Sequence, residues 1–291
     1  MIDLDAATVG LQWATGGLLF TWFTTRRREV GLGYGWLMRS VFAVMALGSA
    51  LLGSRYGWVP ARDLAALAVA AAAIVGLVSS VARRFAGVAG ATADHDRRSA
   101  RVAAMTGIDR DPSTARDVGE TGPEFDPRLD LVPAVLGAFG LVAAGLAATD
   151  GSAYDGAVSV LRVLVGAAFL GAVTDAMLLG HWYLVQPGLP RRHLNDLVRA
   201  LGMIWPAEVL VMLLPTGMIS VWTGSVDDGW GGVLGWFWGA CALTTGVLVR
   251  VTVAALRERQ YSAVMAATGL LYLAILTAFG TDLVSRAVLA S

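Results

Sequence analysis

Asp175, Glu208 and Arg250 fall inside long apolar runs of this 291-residue chain. A charge at bilayer depth costs at least about 2.5 to 3.5 kcal/mol on insertion scales unless it is paired or hydrated, so such residues mark sites. Counted at about 1.5 Å per residue from the ends of their runs, all three lie in the central to inner part of the membrane, where they can meet if their helices are neighbours. Pro206, just before Glu208, removes a backbone donor and frees a carbonyl near Gly202. An interrupted helix with an acid at mid-depth is a form that ion, proton and substrate sites take. The plainer reading is a structural bridge from Arg250 to one of the carboxylates.

The string Gly180-His181-Trp182-Tyr183-Leu184 ends one of these runs. An imidazole there can ligate haem iron, protonate a quinone oxygen or sit hydrogen-bonded at the membrane surface, with Tyr183 as a second contact. A closed bis-histidine haem or tetrahedral zinc site needs further ligands that the sequence lacks, since His95 and His193 belong to connections. Haem or quinone is therefore expected only if shared with a partner chain, and no metal site is expected.

The elements that must position these residues are membrane spans. The chain is 56% hydrophobic and 15% charged, too apolar for one water-soluble core. Runs near the roughly 20 residues that cross a bilayer lie at about Val9–Phe23, Trp36–Gly53, Leu64–Ala82, Leu131–Thr149, Val158–Val185, Leu197–Ile219, Gly232–Leu256 and Tyr261–Val284. The expected fold is an all-α, polytopic bundle of about eight spans. All 22 basic residues are Arg, and they cluster in alternate connections: Arg26 to Arg28, Arg83 and Arg84, Arg191 and Arg192, Arg257 and Arg259. The positive-inside rule then places both termini on the non-cytoplasmic side of a cytoplasmic membrane. No basic n-region precedes the first run, which reads as a retained span.

The long connection from Arg83 to Arg128 carries eight Arg and eight acidic residues with Gly, Pro, Ser and Thr, and is expected to be a largely irregular cytoplasmic loop with at most a short helix at 99–105. It separates a three-span part, 1–82, from a five-span part, 131–291. Trp58, Trp222, Trp230, Trp236 and Trp238 mark the outer span ends as headgroup anchors. Gly231, Gly235 and Gly239 recur at four-residue spacing, a seam for close helix packing within the chain or against a second protein. Cys241 lies alone in an apolar run and cannot form an internal disulfide.

Several chemistries are excluded by inventory. There is no Lys for a retinal Schiff base, no pair of Asp-rich motifs for a prenyl-diphosphate enzyme and no Gly loop with Lys for phosphate. Arg26 to Glu29 with Gly31 to Gly35 makes an inner turn anchored to anionic lipid. The Gly16-Gly17-Leu18-Leu19-Phe20 stretch resembles the opening helices of copper-export and haem-handling membrane families. Those families place a histidine where this chain has Gln12 or Trp13, which argues against metal handling. The partners expected are the lipid bilayer and other membrane subunits, with no nucleic acid. Three functions fit. The first is an integral subunit or accessory of a larger bioenergetic or electron-transfer complex. The second is a small proton-coupled transporter built on the buried acids and arginine. The third is an intramembrane enzyme acting on a lipid or quinone.

Overall fold

A computed structural model of the chain describes residues 5–88, 123–149, 152–258 and 260–289. All regular structure among the described residues is helical. The long helices are α1 (Ala6–Thr25), α2 (Leu32–Tyr56), α3 (Pro60–Ala82), α4 (Leu131–Ala147), α5 (Ala153–Trp182) and α6 (Arg192–Leu213). The short α7 (Gly217–Trp222) leads to α8 (Val233–Ala255) and α9 (Tyr261–Leu289). Six of these segments, α2, α3, α4 with its preceding turn, α5, α8 and α9, are long and apolar enough to cross a membrane. Large apolar side chains such as Leu51, Val75, Phe139, Met203 and Leu276 are exposed on the outside of the bundle, a surface suited to lipid rather than water. The chain is therefore read as a multi-pass membrane protein.

Each apolar run of the sequence falls on one long helix, with one exception. The run from Leu197 to Ile219 is broken after Leu213, and α7 carries its last part. The proposed helix at 99–105 lies outside the described residues.

The helices start and stop for local reasons. The Asp5 side chain accepts from the Thr8 amide at the start of α1. Ser152 and Asp155 form a reciprocal capping box on α5. Pro60 opens α3, where its missing N–H costs nothing.

α1 and α5 form the centre. α1 packs against α2, α4 and α5, while α5 packs against α1, α4, α6 and α9. α3 covers α2 and α4, and α8 covers α6 and α9. The parts before and after the long connection thus share one core, which runs from Leu11 and Phe42 to Phe169, Leu201 and Leu271. The central contact is backbone on backbone. A methyl added at Gly16 would fall on the Ala167 carbonyl, and one at Gly171 would fall on Gly16. Small residues are what permit such an approach.

Candidate functional site

A polar cluster is assembled where α1 and α5 begin and α4, α6 and α9 end. On α9, Asp282 and Arg286 are one turn apart on one face. The Arg286 Nε donates to both carboxylate oxygens of Asp282 at 2.9 Å. Gln12 of α1 donates its Nε2 to Asp282 Oδ1 at 3.0 Å. Arg286 also donates through Nη2 to the Arg162 carbonyl at 2.8 Å. α6 ends nearby, so its last carbonyls lack partners within the helix. Arg162 of α5 supplies them, donating Nε to the Val211 carbonyl at 3.2 Å and Nη2 to the Leu214 carbonyl.

Glu208 of α6 completes the cluster. Its carboxylate is fully buried, faces Asp282, Arg286 and Arg162, and neither oxygen accepts a hydrogen bond. Gly166 makes the space. A Cβ there would lie 2.5 Å from Gln12 Nε2 and 2.6 Å from both Arg286 Nη2 and Asp282 Oδ1.

A cavity of about 440 Å³ opens above this cluster. Arg162 and Arg286 reach it from the cluster, Asp5 and Asp155 stand among its polar lining, and Val9, Val158, Val163, Met212 and Leu289 supply apolar wall. Its size lies in the range of small-molecule sites.

A second polar group sits toward the other end of the bundle, beyond the Gly16–Gly171 contact. Asp175, in the last two turns of α5, is fully buried. Its Oδ1 accepts from Tyr34 Oη at 3.1 Å, its Oδ2 has no hydrogen-bond partner, and Thr21 borders it. Farther along, Arg39 and Asp130 form a bidentate pair at 2.6 and 2.7 Å, both 2% exposed, with the guanidinium 4.2 Å from the Phe125 ring centre. At the end itself, Glu29 pairs with His193 at 2.6 Å and with Arg192, and Gln186 bonds the Gly31 amide and the Glu29 carbonyl.

These positions correct several expectations. Asp175, Glu208 and Arg250 do not form one cluster. Glu208 lies in the last two turns of α6, and α6 runs antiparallel to α5, so the two acids occupy opposite halves of the bundle. Arg250 is exposed near the end of α8, and no hydrogen bond or ion pair joins it to either acid. Its long stem lets the guanidinium leave the apolar surface for a polar boundary, so it has no need of a buried carboxylate. The cations at Glu208 are Arg162 and Arg286. Depth along a run does not single out these residues or Asp282, although the i, i+4 spacing of Asp282 and Arg286 is a readable signal.

His181 is exposed, and the Tyr272 ring stands edge-on to it at 6.4 Å. No hydrogen bond involves its ring among the described residues, so nothing fixes a tautomer for ligation or proton transfer. Tyr183 is buried and structural. Its hydroxyl donates to the Pro190 carbonyl at 2.8 Å, and its own carbonyl accepts from Tyr261. Neither His181 nor Tyr183, the expected haem or quinone contacts, lines the cavity above the Glu208 cluster.

The glycine seam is also different from the expected one. Gly231 precedes α8 with a positive φ of 64°, so only Gly235 and Gly239 lie on the helix. They receive the Trp222 ring rather than another helix backbone. Of the anchor tryptophans, Trp58, Trp222, Trp230 and Trp236 are exposed, but Trp238 is buried against Trp222 at 5.5 Å.

No protein-family model, no curated protein and no solved structure matches this chain.

Proposed function

We propose that this chain is a small proton-coupled transporter of the cytoplasmic membrane, with eight spans and both termini on the non-cytoplasmic side. The observation that carries this reading is the cavity floored by Arg162 and Arg286 with the unpartnered carboxylate of Glu208 buried behind them. A carboxylate without hydrogen bonds in an apolar setting is costly as an ion and cheap when it carries a proton. Its protonation therefore depends on what charge occupies the floor, which is the coupling that a proton-driven carrier needs. By the Arg asymmetry the cavity opens to the non-cytoplasmic side. Asp175, with one free oxygen and a tyrosine partner, supplies a second proton acceptor toward the cytoplasm.

The expectation of a subunit in a larger electron-transfer complex drew on the lack of a complete site, and the cavity weakens that argument. The lipid or quinone enzyme drew on His181, whose exposed ring gives it little support.

The test is reconstitution. Purified protein in vesicles with a trapped pH dye should acidify the lumen when small carboxylates are added outside, and Glu208→Gln should remove the signal while leaving the protein folded. Purification of the chain only as part of a haem-bearing assembly, with no flux by itself, would refute the reading.

A further inference from the structure

We propose that the cavity takes a small monocarboxylate with a compact apolar body, and that it binds together with one proton held by Glu208. The proposal builds on the cavity as the solute site and names its ligand. Charge supplies the first argument. Arg162 and Arg286 on the floor and Asp282 and Glu208 behind it are a neutral set when all four are ionised. Bringing in a carboxylate leaves one uncompensated negative charge where little water remains to screen it. Asp282 accepts hydrogen bonds from Arg286 and Gln12, whereas neither Glu208 oxygen has a donor. The proton therefore goes from water to a Glu208 oxygen, and neutrality is restored.

Asp5 also acts on Arg286 but is paired with Arg62, and the other elements leave that assignment unchanged. α7 has no ionisable residue, and Arg250, the only charged residue of α8, is exposed.

The available donors fit a carboxylate. Each guanidinium has used Nε and Nη2, and neither Nη1 has a hydrogen-bond partner among the described residues. That leaves one donor group from each arginine for the two oxygens of a carboxylate. A dianion would require a second proton on the floor, and Asp5 and Asp155 in the lining disfavour further negative charge. The rest of the ligand meets Val9, Val158, Val163, Met212 and Leu289, which offer contact area but no hydrogen bonds from their side chains.

The experiment is calorimetry on the full chain in lipid nanodiscs, with a pH dye in weak buffer. The probes are isovalerate, its neutral amide, succinate and a long-chain fatty acid. At pH values where the empty site has Glu208 ionised, isovalerate is expected to bind with uptake of about one proton per site and to weaken about tenfold per pH unit. Isovaleramide and succinate should bind at least tenfold more weakly. Glu208→Gln, which mimics the protonated acid, should bind isovalerate with no proton uptake and no such pH dependence. Equal binding of the amide, tighter binding of succinate, or wild-type binding without proton uptake would overturn the proposal. Tenfold tighter binding of the fatty acid would overturn the compact body. Proton-coupled binding of isovalerate with no flux in vesicles would leave this inference standing and sink the transport reading. Flux with other solutes and no isovalerate binding would do the reverse.

Discussion

The Arg39–Asp130 pair predicts a specific pattern of mutational losses. Arg39 rises from α2 past Gly76 of α3 to Asp130, the residue before α4, so it ties the chain ahead of the long connection to the chain after it. Both side chains are 2% exposed, and Gly35 leaves the room, since a Cβ there would lie 2.7 Å from Arg39 Nη1. Asp130→Leu leaves a buried guanidinium without its counter-ion, and Arg39→Met leaves a buried carboxylate. Each should cost about 3–5 kcal/mol, the range for breaking such a pair. The double variant Arg39→Met with Asp130→Leu removes both charges together with their desolvation cost, and should be no worse than either single change. The coupling energy in the cycle should therefore exceed about 2 kcal/mol. Reversible unfolding in mixed micelles, followed by tryptophan fluorescence, measures all four corners. Losses that simply add would refute the reasoning, as would single variants within about 0.5 kcal/mol of the parent.

Four further outcomes are expected. Gly16→Ala sets its methyl against the Ala167 carbonyl, an obstacle that cannot rotate away, and should cost about 1–3 kcal/mol or more in thermal unfolding. Gly48→Ala, with nothing within 4 Å, should hold or gain stability. The Asp228 carboxyl is held below its usual range by the backbone N–H groups of Gly232, Trp230 and Leu234, so its contribution is present above about pH 4 and lost as pH falls through its folded value. Quenching of Trp230 and Trp236 should rise in acid, and Asp228→Ala should show the raised quenching already at neutral pH, with no further acid step. Reporter fusions at Gly87 and Leu289 should report opposite sides of the membrane, the first cytoplasmic; the same side for both would overturn the eight-span topology.

The helices were legible because an apolar run of sufficient length has little alternative in lipid, where every backbone group must be satisfied within the segment. Hydropathy located the run that became α6, but not its break at Leu213, because the apolar side chains of Leu213 and Leu214 continue through it. The site was only partly legible. Asp175 and Glu208 stood out as acids in apolar sequence, and both are buried. Their partners did not follow, because depth counted along a run says nothing about which face a residue takes. Arg250 lies deep along its run yet points outward, whereas Arg162 reaches the cavity from α5. Gly16 and Gly171 lie far apart in sequence, and only the packing of α1 on α5 pairs them.

That pairing also governs how the bundle can deform. α1 and α5 run in the same direction and touch through main chain near their middles, with Trp13 to Thr174, at 2.9 Å, as the hydrogen bond between side chains that links them. Two helices whose backbones already touch at van der Waals distance resist being pressed closer there, while one can still tilt on the other about that point. The relative motion this contact leaves to the two central helices is therefore a rocking about this fulcrum. With the cavity on one arm and Asp175 on the other, widening either end narrows its opposite.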